Sequence, residues 1–179
     1  MFADATNYKA TGDWLYILTA VILVDIVAII GTKYARPTSS TFGVKALNDW
    51  YTQFGILAVA ADVLSILIGI FFARFIFGWI GIRSVYLFLA VLVAFQLFHD
   101  IFFYLCVVLP LPKGENAMID VFKAYGQENG AQILFVDALM MLGSVGIASF
   151  LKGHSEQYTT GTLLIALYSI CYFMYTRSA

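Results

Sequence analysis

Charge is scarce in this chain. Asp, Glu, Lys and Arg make up 12% of its 179 residues, about half the ~25% of an ordinary soluble domain. Ten basic residues against eleven acidic ones leave a net charge of −1. That leaves no basic face for a polyanion, so a nucleic-acid binder is excluded. The cysteines are limited to Cys106 and Cys171, both inside apolar runs. They form neither a disulfide framework nor a zinc site, and read as small hydrophobes. Neither GxSxG nor HExxH occurs, so an intramembrane hydrolase has no motif behind it. No lysine stands centrally in an apolar run, which excludes a retinal Schiff base, and His154 falls in a short connection where it reads as a solvated residue rather than a haem ligand.

Apolar residues fill the space. They account for 61% of the chain, aromatics for 17%, and mean hydropathy is +0.86. A soluble domain of this composition could not cover its own core, whereas aromatic belts suit a bilayer. Runs of about 18 or more apolar residues mark candidate spans. Five can be drawn, at 14–32, 54–77, 84–109, 132–151 and 158–176. The fifth is the most polar, carrying Thr159, Thr160, Thr162 and Ser169. Residues 1–13 lack a basic stretch and no small-residue cleavage site follows the first run, so that run reads as a retained helix rather than a secretory signal. The expected fold is an all-α integral membrane bundle of five transmembrane helices with two short interfacial helices, forming a single domain over 1–179.

One interfacial helix is expected where Val44, Leu47, Tyr51 and Phe54 recur at three-to-four spacing, after N-cap candidates in Thr38–Thr41. The other is expected where Met118, Val121, Phe122 and Tyr125 share a stripe, after Pro110 and Pro112 stop the third span and before Gly126 ends the helix. Positive charge sets orientation. Lys9, Arg74, Arg83 and Lys152 fall on one side, while Lys33, Arg36, Lys45, Lys113, Lys123 and Arg177 fall on the other. Six against four favours an N-terminus outside and a C-terminus inside.

The informative residues are four acids. Asp25, Asp62, Asp100 and Asp137 stand one in each of the first four apolar runs. Each costs about 2.5–3.5 kcal/mol at a helix centre on insertion scales. At about 1.5 Å per residue, Asp25 lies roughly 16 Å into its span and Asp62 roughly 12 Å from the opposite face. Asp100 falls roughly 14 Å before the end of its span and Asp137 roughly 8 Å into its own. These depths describe a path leaning toward the side of the first and third loops. Gln96, His99, Asp100 and Tyr104 fall at helical spacings on the third span. His99 and Asp100 are adjacent and so leave the helix in different directions, which argues against a dyad. Asp62, Ser65 and Gly69 share a face of the second span beside a ladder of Ala61, Ser65, Gly69 and Ala73, which lets another helix approach and is a candidate oligomer contact. On the fourth span Asp137, Met141 and Ser144 share a face; on the fifth, Tyr168, Tyr172 and Tyr175 are expected to donate hydrogen bonds inward. No Lys or Arg stands among the acids, Arg74 being near a span end from which it can snorkel outward. Some of the acids are therefore expected to be neutral, sharing protons or bonded to Ser, Thr and Tyr.

The stretches ALNDWYTQFGILAVAADVLSILIG, FQLFHDIFFY and FKAYGQENGAQILFVDALMM, within about 45–151, resemble small multi-pass membrane proteins encoded by large DNA viruses of algae and other protists. The resemblance carries no catalytic residue with it. It implies a viral or host membrane, such as one inside a capsid, and a structural or assembly role.

From the residues themselves the leading expectation is a proton or small-cation pathway or site built from Asp25, Asp62, Gln96, His99, Asp100 and Asp137. The alternative is a structural membrane protein whose acids are neutral packing groups. A third reading, an intramembrane metal-dependent enzyme, is less well supported, because one His among carboxylates lacks HxxxH or CxxC spacing. No organic cofactor is called for, although a bound cation is compatible with the acids. The expected partners are the lipid bilayer and further copies of the chain.

Overall fold

A computed structural model describes residues 6–7, 9–34, 45–81 and 84–176 of the protein. The fold is all-α, 86% helical, with seven helices among the described residues. A 3₁₀ turn at Thr11–Asp13 leads into α1 (Trp14–Tyr34), followed by α2 (Lys45–Phe54) and α3 (Ile56–Ile80). Next comes α4 (Val85–Phe103), which continues as a wider π-helical turn over Tyr104–Val108. The chain ends in α5 (Ala117–Asn129), α6 (Gln132–Leu151) and α7 (Glu156–Tyr175). The Thr38–Thr41 caps, Val44, Arg36, Arg83 and Arg177 lie outside the described residues.

Among the described residues, four helical stretches are long and apolar enough to cross a membrane: Thr11–Lys33, Ile56–Ile80, Val85–Val108 and Gln132–Leu151. The helix over the fifth expected span, α7, matches α6 in length at 20 residues. Its first turns carry Glu156, Gln157, Tyr158, Thr159 and Thr160, which lower its apolarity below that of the other four. Large apolar side chains face outward, among them Leu64, Ile68 and Phe75 of α3, Phe98 and Phe102 of α4, and Leu164 and Ile165 of α7. Water would penalise such a surface and lipid would not, so the architecture is that of a multi-pass membrane protein.

The bundle is built around α1, which packs against α6, α7 and α3, while α4 leans on α3 and α6. Small residues permit the close approach: Ala20 of α1, Ala58 and Ala73 of α3, and Ala148 of α6 are fully buried. Gly69 is also buried, and a Cβ there would lie 2.7 Å from Met141 Cε of α6 and 3.4 Å from Gln96 Oε1 of α4. The Gly69 and Ala73 half of the small-residue ladder therefore faces the chain's own core, whereas Ala61 and Ser65 are half-buried.

The two short helices pair with each other. Trp50 of α2 packs on Phe122 of α5 with ring centroids 4.8 Å apart. Glu128 of α5 accepts a hydrogen bond from the Ala46 amide at the start of α2 (3.0 Å), capping donors that a helix start leaves open. The helix α5 begins at Asn116, whose side chain accepts from Met118 and Ile119. It does not stop at Gly126 as its spacing suggested. It continues to Asn129, and the break comes at Gly130 with φ +51°. Gly126 serves close approach instead: a Cβ there would lie 2.5 Å from the Tyr104 ring on the π-helical turn of α4. Gly126→Ala is expected to destabilise the protein by about 1–3 kcal/mol through overpacking, read as a lower unfolding midpoint in detergent. An unchanged midpoint would show that Tyr104 swings aside freely.

Polar contacts fix the direction of each helix. Asp13, at the start of α1, bonds Arg74 near the end of α3 (2.8 Å) and Lys152 just after α6 (2.7 Å). Those ends therefore share one face of the bundle. Arg74 does not snorkel: it is 1% exposed, donates to the Asn7 and Ala10 carbonyls, and lies over the Trp14 ring at 5.6 Å. The tyrosines of α7 also depart from expectation. Tyr168, Tyr172 and Tyr175 point outward, and the first two hydroxyls bond each other at 2.7 Å.

Candidate functional site

The opposite face holds the carboxylates. The loop-side half of α1 supplies Asp25, and the first turns of α3 supply Asp62. Asp100 comes from the last turn of α4 before the π-helical stretch, and Asp137 from the second turn of α6. Antiparallel neighbours thus bring late residues of two helices to the level of early residues of the other two. The acids form a linked series: Asp62 lies within electrostatic reach of Asp25 and of Asp137, and Asp137 within reach of Asp100. Asp25 is fully buried, while Asp62, Asp100 and Asp137 are half-buried.

The interfacial helix α2 closes over two of them. Gly55, with φ +55°, turns the chain between α2 and α3, a conformation glycine adopts without a Cβ clash. The turn lays α2 back on the bundle so that adjacent residues Trp50 and Tyr51 reach adjacent acids. The Trp50 indole N–H donates to Asp62 Oδ2 at 3.0 Å. The Tyr51 hydroxyl donates to Asp25 Oδ1 at 3.3 Å and lies within electrostatic reach of Asp62. Burial, followed by the negative charges of Asp62 and Asp25, holds the Tyr51 phenol well above its ordinary value, so it remains a hydroxyl. From α5, Tyr125 is likewise pushed up, first by burial and then by the charge of Asp137.

On α4 the predicted polar stripe forms one network around Asp100. Gln96 Nε2 donates to Asp100 Oδ1 at 2.8 Å, and His99 Nδ1 lies 3.1 Å from the same oxygen. Adjacent residues do meet here, because the Asp100 carboxylate bends back toward both. The His99 side chain is 40% exposed while that of Asp100 is 14% exposed, so the network runs from the bundle surface inward. Tyr104 belongs to a different contact, under Gly126. Ser144, on the Asp137 face of α6, is buried and donates to the Met140 carbonyl of its own helix.

Within the series, Asp25 Oδ2 and Asp100 Oδ2 are buried with no partner among the described residues. Among the described residues no three His, Cys, Asp or Glu side chains converge as metal ligands. Sequence reasoning passed over Trp50, Tyr51 and Tyr125. Tyr51 and Tyr125 lay on the stripes of the two expected interfacial helices, and the signal for their role was a phenol on each apolar stripe. No protein-family model matches the chain, and no curated protein or solved structure resembles it significantly.

Proposed function

We propose that this multi-pass membrane protein binds or conducts protons or small cations through its carboxylate-lined interior. The observation that carries the reading is the set Asp25, Asp62, Asp137 and Asp100, four acids from four helices to which no described Lys or Arg is hydrogen-bonded and of which three accept from Trp50, Tyr51 and Gln96. Acids inside a bilayer are costly, and they recur where charge or protons move. The half-exposed His99 supplies an end of the series at the bundle surface.

In this reading α7 is a fifth span. It runs beside α1, and its end reaches the far face, where Lys33 donates to the Met174 carbonyl and the Tyr175 hydroxyl lies by Gly55. Its 20 residues extend about 30 Å, the thickness of the hydrocarbon core. The six-to-four division of basic residues supports an outside N-terminus.

A second reading is a structural membrane protein whose acids are neutral packing groups, and the donors Trp50, Tyr51 and Gln96 favour it by holding carboxylates within the chain. Asp→Asn separates the two, since an amide keeps most hydrogen-bonded packing and cannot pass a proton. Liposomes holding the purified protein are expected to show proton or cation flux that Asp62→Asn and Asp100→Asn abolish. No flux above empty liposomes, with both variants as stable as wild type, would assign the acids to packing.

A further inference from the structure

We infer that the site handles protons rather than metal cations, and that the Tyr51 hydroxyl is the relay that bridges Asp25 to Asp62. The inference deepens the proposed function and rests on it.

The first ground is the chemistry of the groups around the acids. A hard cation such as Ca²⁺ takes about 6–8 oxygen ligands with their lone pairs turned inward. Here three of the four carboxylates accept from side-chain donors: the Trp50 indole on Asp62, the Tyr51 hydroxyl on Asp25, and the Gln96 amide on Asp100. Each hydrogen takes up one oxygen of its carboxylate and presents a positive dipole end to any cation beside it. A proton needs one acceptor, not a shell. The fully buried Asp25 retains such an acceptor in Oδ2, an oxygen with no partner among the described residues.

The second ground is the geometry of Tyr51. Trp50 can only donate, so its bond to Asp62 holds that carboxylate in place and transfers nothing. A phenol hydroxyl donates and accepts, and this one donates to Asp25 of α1 while the neighbouring Trp50 holds Asp62 of α3 within its electrostatic reach. In the transfer step the Asp62 carboxylic acid gives its proton to the phenol oxygen while the phenol proton passes along its existing bond to the Asp25 carboxylate. One O–H bond breaks and one forms at the tyrosine, and the net change moves a single proton from Asp62 to Asp25. A free phenolate is never required, in keeping with the raised Tyr51 phenol, whose causes are burial and then the two carboxylates. Beyond Asp62 the series continues to Asp137, Asp100 and the half-exposed His99.

The test reconstitutes the full chain in liposomes containing a pH-sensitive dye, with parallel vesicles taking up radiolabelled sodium, potassium and calcium. The wild type is expected to move protons and none of the three cations. Tyr51→Phe, which removes one oxygen, is expected to lower proton flux by roughly a hundredfold, the scale of a lost general acid–base group. Tyr168→Phe, on the outer face of α7, is expected to leave it unchanged. Fluorotyrosine in place of Tyr51 alters the hydroxyl's acidity at nearly constant size, so it is expected to shift the rate even if the Phe variant folds poorly. Wild-type flux in both Tyr51 replacements, with Asp62→Asn silent, would overturn the relay and leave the acid pathway standing. Cation uptake that Asp62→Asn abolishes would overturn proton selectivity alone. Absence of every flux would overturn the inference together with the function beneath it.

Discussion

Replacing Asp13 by Ala is expected to lower stability by about 3–5 kcal/mol, the range for removing one partner of a buried ion pair. Asp13 and Arg74 are 4% and 1% exposed, and the carboxylate holds Arg74 on one oxygen and Lys152 on the other. Its loss removes the Asp13 counter-charge from an Arg74 guanidinium buried against backbone carbonyls and the Trp14 ring. Three chain segments are joined at this point, so the cost reaches the whole bundle. Lys152→Ala is expected to cost much less, because its side chain is 25% exposed and water replaces part of what it loses; solvated pairs are worth about 0–1 kcal/mol. Thermal unfolding in detergent measures both. Equal and small shifts would show that the Arg74 contacts to backbone and Trp14 suffice without the carboxylate.

The second large effect is local. Trp50→Ala is expected to cost about 3–5 kcal/mol, as for other buried aromatic truncations. Trp50 is 3% exposed, packs on Phe54 and Phe122 at 5.1 and 4.8 Å, and donates to Asp62. A helix of 10 residues has little stability of its own, so α2 depends on this docking. The loss is expected to appear as release of α2 rather than global unfolding. Amide exchange over 45–54 should accelerate by about two to three orders of magnitude, at 1.4 kcal/mol per tenfold, while α1 and α6 exchange as before. Unchanged exchange in α2 would mean that the Glu128 cap and the α2–α3 turn hold the helix without the indole.

The legibility of the fold differs from element to element. The four most apolar helices could be read directly, because an unbroken apolar run at span length has one stable solution in lipid. The fifth expected span was harder to read: its threonines and tyrosines suit a half-solvated helix as well as a spanning one. The π-helical turn at Tyr104–Val108 left no mark in the sequence, since it depends on how α5 presses Gly126 against Tyr104. Gly126 itself was misread for the same reason. A glycine that ends a helix and one that admits a neighbouring ring look alike until the neighbour is known.

The acids show the same division. Their identity and level followed from sequence alone, because a charge in an apolar run is conspicuous and helix rise is fixed. Their partners did not. Arg74 was placed at the interface, as any basic residue near a span end would be, and the approach of Asp13 compensates its burial. The tyrosines of α7 were given an inward role that their exposed positions contradict; a stripe defines a face but not the direction in which it is turned. Composition and periodicity thus determined that this is a helical membrane protein with one acid in each of four apolar runs, because those consequences are local to each helix. Tertiary structure decided that α2 and α5 cover the acids and that Trp50 and Tyr51 reach them. It also decided that Asp13 binds the far ends of α3 and α6, since contacts between helices depend on rotation and packing that no single helix encodes.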